Sequence, residues 1–349
     1  MLVNPLQGLD ETSTVLASRV VEQLYQRHPE MYDRFGIMGK SHCLKDNHFH
    51  IGYLAESARQ NSLSIFYNYA TWLKQLLAGY GMGDEHLIEN LIVLKDEVAL
   101  QHHSLAWSEK AVRILDATIA HFPDMANDHQ SFIENDNPMA LLASAYLQAL
   151  LEMRRNDAFS MIEKAMDDDG VSLKDIYLFV FQASLREVGQ LWLVRKVSVA
   201  QEHYVSSATQ SMISQLYHRM FATERIGKTF IAACVGDELH EIGLRMVADF
   251  LEMDGWDTMF LGANLPTQDI VRAVEESGAL VLGLSATIPF HVRTVAEVIK
   301  ALRENPATKA VYVMVGGYAF AYGGSDWKHI GADAFAEDAP EACRLLAEL

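Results

Sequence analysis

Residues 229–243, TFIAACVGDELHEIG, decide the fold of the second half of this chain. The first seven, TFIAACV, form an uninterrupted apolar run with the length of a buried strand. A helical pattern follows over residues 244–253. The segment between them therefore places His240 on the loop that leaves the first strand of an α/β unit. Open α/β sheets bind ligands outside the carboxyl ends of their strands, so this loop is a candidate site.

The loop has the spacing Glu238-x-His240-x-x-Gly243. One ring nitrogen of a histidine can bind a metal while a carboxylate holds the other nitrogen and fixes the tautomer. Gly243 would allow the backbone to come close to a bulky ligand. A histidine beside an acid is also a common surface pair, so the rest of the chain has to decide between the two interpretations.

Two further strands are predicted downstream. Residues 279–287 (ALVLGLSAT) include Ser285 and Thr287 at their end, and residues 311–315 (VYVMV) precede Gly316-Gly317. Helical patterns over 269–277 and 292–304 flank the second strand. This alternation predicts a parallel sheet with right-handed crossovers, and it brings the three loop signatures to one crevice.

In the order and spacing of these motifs the sequence resembles cobalamin-binding domains in which a protein histidine replaces the cofactor's own lower base. The resemblance implies that His240 is the lower axial cobalt ligand and that Glu238 is its hydrogen-bonding partner, where the family usually has Asp. It also implies a slot for the displaced nucleotide tail. The implied cobalamin contacts are Glu238, His240, Glu241, Ile242, Gly243, Ser285, Thr287, Gly316 and Gly317. An unrelated flavodoxin-like domain is the alternative.

Composition limits the remaining possibilities. The 349 residues suffice for two or three domains, and no apolar run approaches the ~20 residues of a membrane span. The amino terminus shows no secretory signal, and three widely spaced cysteines argue against a disulfide framework, which predicts a cytoplasmic protein. A net charge of −18 offers no cationic face for phosphates, so neither nucleic acid nor a membrane is expected as a partner.

Residues 1–125 predict an all-helical domain, globin-like or a bundle, because amphipathic patterns recur without strand alternation. Residues 40–53, KSHCLKDNHFHIGY, are rich in histidine and aromatic side chains. Such side chains suit a flat conjugated ligand with carboxylates and pyrrole nitrogens, and a cysteine offers a thioether. The candidate contacts, chosen by side-chain type, are Arg34, Cys43, Asp46, His50, Tyr53 and Trp72. Ordinary core packing is the alternative.

A polar segment, residues 122–138, reads as a linker. Four helical patterns follow over 139–155, 157–166, 172–192 and 200–221, with Ser172 and Asp175 as a capping pair for the third. Short connections predict a four-helix bundle over 138–224, and residues 225–349 form the Rossmann-like domain. The fold class is thus multidomain: helical domain, four-helix bundle cap, then an α/β domain with a parallel sheet.

A helical cap before a cobalamin domain resembles methionine-synthase-like and corrinoid methyl-carrier modules. Trp192, nine residues, then Glu202-His203 also resembles the signature of the CarH-type light-dependent adenosylcobalamin receptors. That resemblance implies that Trp192 packs over the upper face of the corrin and that Glu202 and His203 contact the adenosyl group. Leu193 stands where the best-known members carry a cobalt-binding histidine, so the upper ligand after light is left open.

With its histidine-rich helical domain, the chain is most similar to the photocobilins, which pair adenosylcobalamin with a bilin such as biliverdin. The resemblance implies a photoreceptor without enzymatic activity, a homodimer, and an unknown partner protein that receives the signal. Three other hypotheses remain: a corrinoid methyl-carrier protein of a methyltransferase system, a cobalamin-dependent mutase subunit whose substrate barrel is a separate chain, and a cobalamin sensor that does not respond to light.

Overall fold

The computed structural model describes residues 11–100, 106–126, 131–134, 136–220 and 223–349. They fall into two compact units. The first is drawn from residues 1–127, 287–293 and 318–326, and the second from residues 128–286, 294–317 and 327–349.

Helices dominate the first unit: α1 Glu11–Arg27, α2 Glu30–Gln60, α3 Leu63–Gly79, α4 Asp84–Leu100 and α5 Ser108–Ala120. They bury one apolar face each because apolar residues recur at helical spacing, as in Leu16, Val20 and Leu24 of α1. The all-helical prediction for the amino-terminal part is confirmed. The histidine-rich segment, residues 40–53, lies within α2, which starts at Glu30 and kinks at Gly36.

The second unit begins with the bundle: α6 Ala140–Leu151, α7 Arg155–Asp167, α8 Leu173–Asp175, α9 Ala183–Leu193 and α10 Val199–Leu216. A π-helical segment, Ile176–Gln182, joins α8 to α9, so the third predicted helix is continuous. Its predicted cap is present, because the Ser172 side chain accepts from the Asp175 backbone N–H. The first predicted helix of the bundle is shorter than residues 139–155, because Met153 adopts a left-handed conformation between α6 and α7.

The remaining helices are α11 Ile242–Met253, α12 Thr267–Ser277, α13 His291–Glu304, α14 Tyr318–Ala321 and α15 Ala339–Leu346.

The bundle shares one core with α11, the first helix of the α/β domain. Met246 and Phe250 of α11 lie in the same apolar cluster as Tyr146, Tyr177 and Phe181 of the bundle. The hydroxyl of Tyr177 also donates to Asp249 Oδ2 at 2.9 Å. The bundle is therefore fixed against the helix that follows the His240 loop.

Five parallel strands form the sheet: β1 Thr229–Val235, β2 Asp257–Leu265, β3 Val281–Ser285, β4 Tyr312–Gly316 and β5 Ala334–Phe335. Their order is β2-β1-β3-β4-β5, so the chain reverses direction across the sheet between β1 and β3. This is the doubly wound order whose ligand crevice lies at the β1/β3 switch point. The predicted Rossmann-like fold is confirmed, and β2 and β5 are the strands that the sequence did not reveal.

Across the residues that the structure describes, no helix combines the length and apolar character needed to cross a membrane.

Candidate functional site

The loop between β1 and α11 holds His240 in one orientation. The Glu238 carboxylate is completely buried, and its Oε1 lies 2.6 Å from His240 Nδ1 and 2.9 Å from the His240 backbone nitrogen. The imidazole itself is 62% exposed. Because Nδ1 faces the carboxylate, Nε2 is the ring nitrogen left to face a ligand. The sequence prediction that Glu238 partners His240 agrees with this geometry.

The end of β2 supports this loop. Asn264 adopts a left-handed conformation, and its backbone N–H donates to the Glu238 carbonyl at 3.0 Å. Its side-chain Oδ1 accepts from the Asp237 backbone N–H at 2.8 Å. The pairing of β1 with β2 is irregular just before this point, which lets the chain turn toward the loop. The sequence analysis missed Asn264, although an Asn two residues before Pro266 is a turn signal.

Glu241, one residue after the histidine, contacts the bundle. Its Oε1 accepts from Gln210 Nε2 of α10 at 3.3 Å, and its Oε2 lies beside Gly262 of β2. Gln210 was not predicted as a site residue and carries no motif that would have revealed it. Ile242 and Gly243 form the first turn of α11, and Gly243 is exposed with no atom near the position of a β-carbon.

The slot residues lie at the carboxyl ends of the neighbouring strands. Ser285 ends β3 and pairs with Gly316 of β4, and Thr287 follows two residues later. Gly317 has a φ of +96°, and a β-carbon there would lie 2.5 Å from the Ala286 carbonyl oxygen and 2.8 Å from Ser285 Oγ. Glycine is therefore required at residue 317, and β3 and β4 approach each other without intervening side chains.

The Trp192, Glu202 and His203 set lies on the turn between α9 and α10. Trp192 is half-buried in the last turn of α9, and the adjacent Leu193 is buried in the core. Glu202 accepts from Ser206 Oγ at 3.0 Å and hydrogen-bonds the exposed ring of His203. Among the described residues, Trp192 makes no hydrogen bond or ring contact with the His240 loop.

The histidine- and aromatic-rich segment of the first unit, residues 40–53, packs against α3. Tyr69 hydrogen-bonds His50 Nδ1 through its hydroxyl at 2.7 Å, and its ring stacks on Tyr53 at 4.0 Å. Burial lowers the pKa of His50 to about 3 and raises the pKa of Cys43 to about 12. Burial also raises the pKa of Asp46. Arg34 lies over the Phe35 ring, and Trp72 is partly exposed beside Tyr69.

Comparison with known proteins decides between the interpretations of this site. Residues 228–347 match the family model described as B12 binding domain. Residues 142–217 match a second model with the same description. The bundle and the α/β domain thus both carry the sequence features of B12-binding domains, and cobalamin binding is the property that they share with the matched families.

The curated relatives are corrinoid proteins. Dimethylamine corrinoid protein 1 of Methanosarcina mazei is 26% identical over 205 residues, which cover 58% of this chain and 93% of that protein. Trimethylamine corrinoid protein of Methanosarcina barkeri is 28% identical over 169 residues, 46% of this chain and 75% of that protein. Among solved structures, the monomethylamine corrinoid protein of Methanosarcina barkeri has the same fold over 60% of this chain and 99% of its own, with a TM-score of 0.53 and 20% identity.

These relatives contradict the prediction of a CarH-type or photocobilin-like photoreceptor, and that prediction is wrong. Neither an adenosyl form of the cofactor nor biliverdin has support among them. The contacts within the first unit explain why its histidine- and aromatic-rich sequence was wrongly interpreted as a bilin site. Its aromatic side chains at helical spacing mostly pack on one another in the helical core, as the alternative interpretation expected.

Proposed function

We propose that this chain is a corrinoid carrier protein of a methyltransferase system. In this role it holds a corrinoid that accepts a methyl group and presents it to a separate enzyme. The chain itself is then the carrier and not the catalyst. The observation that carries the proposal is the pair formed by a fully buried Glu238 and an exposed His240 on the loop after β1, within the region that matches the B12-binding model.

The described residues fit a corrinoid with a detached lower base. Cobalt in a corrinoid supplies a site that binds a methyl group and gives it up again. His240 would hold the cobalt through Nε2, because its Nδ1 is held by Glu238 at 2.6 Å. Ser285, Gly316 and Gly317 lie together at the carboxyl ends of β3 and β4 and are our candidates for contacts to the nucleotide tail. Thr287, Glu241, Ile242 and Gly243 complete the proposed contacts.

Two parts of the chain divide the work in this proposal. Residues 225–349 hold the corrinoid from below, and the bundle, residues 138–224, closes the site from the other side. Trp192 offers a flat apolar wall, and Glu202 and His203 offer polar contacts beside it. Leu193 is buried and has no metal-binding atom, so it would not bind the cobalt.

The names of the relatives suggest the substrate class. Proteins named for dimethylamine and trimethylamine match this chain, so we infer that the methyl donor is a small methylated amine. The partner would be the methyltransferase that acts on this amine. We further propose a cytoplasmic homodimer. The three free cysteines are consistent with a reducing compartment.

Reconstitution with cobalamin tests the proposal. Purified protein is loaded with hydroxocobalamin, reduced to the Co(II) state and examined by electron paramagnetic resonance, with and without ¹⁵N-labelled histidine. We expect the label to change the nitrogen superhyperfine pattern, because a protein imidazole is the axial ligand. His240→Ala should abolish this change, whereas His329→Ala, at an exposed position, should keep it. A wild-type spectrum that is the same with and without ¹⁵N-labelled histidine would disprove the axial role of histidine.

A second measurement addresses the carrier role. Loaded protein is incubated with methylamines and candidate methyltransferases, and methylcobalamin formation is followed by its absorption spectrum. The proposal is supported if methylcobalamin forms only when both the methylamine and the methyltransferase are present. A corrinoid that binds to His240 but is never methylated by any such pair would contradict it.

A further inference from the structure

The first unit contains two segments from the second half of the chain. Residues 287–293 follow β3 and residues 318–326 follow β4, and both cluster with the amino-terminal helices. Thr287 is the first residue of one segment, and Gly317 directly precedes the other. The conformation of these two segments therefore bears on the slot proposed for the corrinoid tail.

A buried carboxylate anchors the first segment. Glu56, in the last turns of α2, has a side chain only 2% exposed. It accepts from Arg59 Nε at 3.0 Å and lies 3.7 Å from Arg293 Nη2 in the first turn of α13. Arg59 and Gln60 are the hydrogen-bond donors to this buried carboxylate, and Arg293 adds an ion pair that ties the end of the segment to α2.

An aromatic contact anchors the same segment at its centre. The Phe290 ring packs against Tyr53 of α2 with centroids 4.7 Å apart. Tyr53 in turn stacks on Tyr69 of α3, whose hydroxyl is bonded to the buried His50. Phe290 is thereby attached to a rigid pair of helices and not to a mobile side chain.

The start of α3 anchors the second segment. Ser62 Oγ donates to the Gly324 carbonyl oxygen at 2.8 Å, and Asn68 Nδ2 donates to the Tyr322 carbonyl oxygen. Gly324 has a φ of +81°, and a β-carbon there would collide with the Ser64 side chain. The backbone of this segment is therefore fitted closely to α3.

We propose that α2 and α3 pre-order the two segments and so raise the affinity of the slot for a corrinoid. Ordering a loop costs conformational entropy, about 1–2 kcal/mol per residue for the backbone. Contacts made before binding remove part of that cost from the binding step. By reciprocity, a bound corrinoid stabilises the contacts of α2 and α3. The contacts of α2 and α3 and the retention of the cofactor thus stabilise each other. This role of the helical unit rests on the proposed corrinoid site.

Hydrogen exchange of the full-length protein without corrinoid tests the anchoring by itself. Arg293→Ala should speed amide exchange in residues 287–293, compared with Lys300→Ala on the same helix. Lys300 is 75% exposed and forms an ion pair with Glu304 on its own helix at 3.8 Å. Ser62→Ala, a milder change, should speed exchange in residues 318–326. Unchanged exchange in all variants would overturn the proposal without touching the cofactor assignment.

Spectroscopic titration with hydroxocobalamin tests the link to the slot. We expect Arg293→Ala and Phe290→Leu to weaken binding roughly fivefold or more, and Lys300→Ala to leave it unchanged. Corrinoid should also slow amide exchange around residues 56–64 of the wild-type protein. Faster loop exchange with equal or tighter corrinoid binding would overturn the proposed link. If His240→Ala does not affect binding, the site assignment fails instead, while the exchange results stand.

Discussion

Glu238 and His240 combine two opposite environments within three residues. The carboxylate has no exposure, while the imidazole is mostly exposed. A buried acid is stable only with hydrogen-bond donors, and here two donors come from the same histidine, its ring and its backbone N–H. The same arrangement fixes the ring, so the stability of the loop and the orientation of Nε2 depend on one side chain.

We expect Glu238→Gln to weaken corrinoid affinity by about 10- to 100-fold, since loss of the partner of a ligating histidine usually has this effect. The amide is neutral and cannot hold Nδ1–H as strongly. Asp237→Asn is a matched control, because it removes an exposed charge at a left-handed position that Asn tolerates. Equilibrium titration with hydroxocobalamin provides the measurement. Equal losses of affinity in Glu238→Gln and Asp237→Asn would show that the negative charge of the loop, and not the hydrogen bond to His240, determines corrinoid affinity.

Gly317 is the second position at which the structure restricts the type of amino acid. We expect Gly317→Ala to destabilise the protein by about 1–3 kcal/mol, because a positive φ is combined with a backbone carbonyl at 2.5 Å from the new atom. Gly243→Ala is the control, since it lies in α11 with open space around the new atom and should stabilise by roughly 0.5–1 kcal/mol. Urea unfolding compares the two variants. A neutral Gly317→Ala would show that β3 and β4 can separate.

At the scale of elements, α11 has contacts in two directions. It follows the His240 loop, packs on β1, and carries Met246 and Phe250 into the core of the bundle. Tyr177, from the π-helical segment of the bundle, reaches Asp249 on this helix. Burial raises the pKa of Asp249, so this acid depends on its few donors.

We therefore expect Tyr177→Phe to lower the free energy of unfolding by about 1–3 kcal/mol, since it removes a donor from a buried acceptor. Tyr32→Phe, at an exposed ring that lies edge-on to Tyr25, should have little effect. Chemical unfolding followed by circular dichroism measures both. If water replaced the Tyr177 hydroxyl, or if the existing contact of Arg245 Nε with Asp249 at 3.4 Å sufficed, the two variants would behave alike. The coupling between the bundle and α11 would then be weaker than the Tyr177 contact suggests.

Elements also explain why the light-receptor prediction failed. Trp192, Glu202 and His203 lie at the end of one helix and the start of the next, where the Ser198–Gln201 capping box fixes the entry into α10. Such spacing follows from helix ends and a short turn. It does not determine which group the side chains meet, so the spacing by itself does not identify the ligand.

At the scale of the whole molecule, the two units should respond differently to acid. His50 is buried with a pKa lowered to about 3, against about 6.5 in an unfolded chain. Between these values the unfolded state binds a proton that the folded state does not. The free energy of unfolding of the helical unit should thus fall as pH drops from about 7 to 4, by up to about 1.4 kcal/mol per pH unit.

Thermal unfolding at several pH values checks this expectation. His50→Gln should reduce the pH dependence, because the glutamine does not titrate, whereas His121→Gln at an exposed position should keep it. Corrinoid absorption reports on the second unit in the same experiment. A pH dependence that is unchanged by His50→Gln would show that other buried groups, such as His48, control the acid response.

The sequence by itself determined the central strands, the helical periodicity and the Glu238–His240 pair. Strands β1, β3 and β4 are buried, so their sequences are continuous apolar runs. The Glu238–His240 motif occupies six consecutive residues, so it can be recognised without knowledge of the fold. Tertiary structure decided the rest. Strand β2 lies at the sheet edge and is half-exposed, and the first half of α2 has no buried side chain, so neither gives a strong pattern. Contacts such as Glu56 with Arg293, or Gln210 with Glu241, join residues far apart in the chain, and no local pattern encodes them because only folding brings these side chains together.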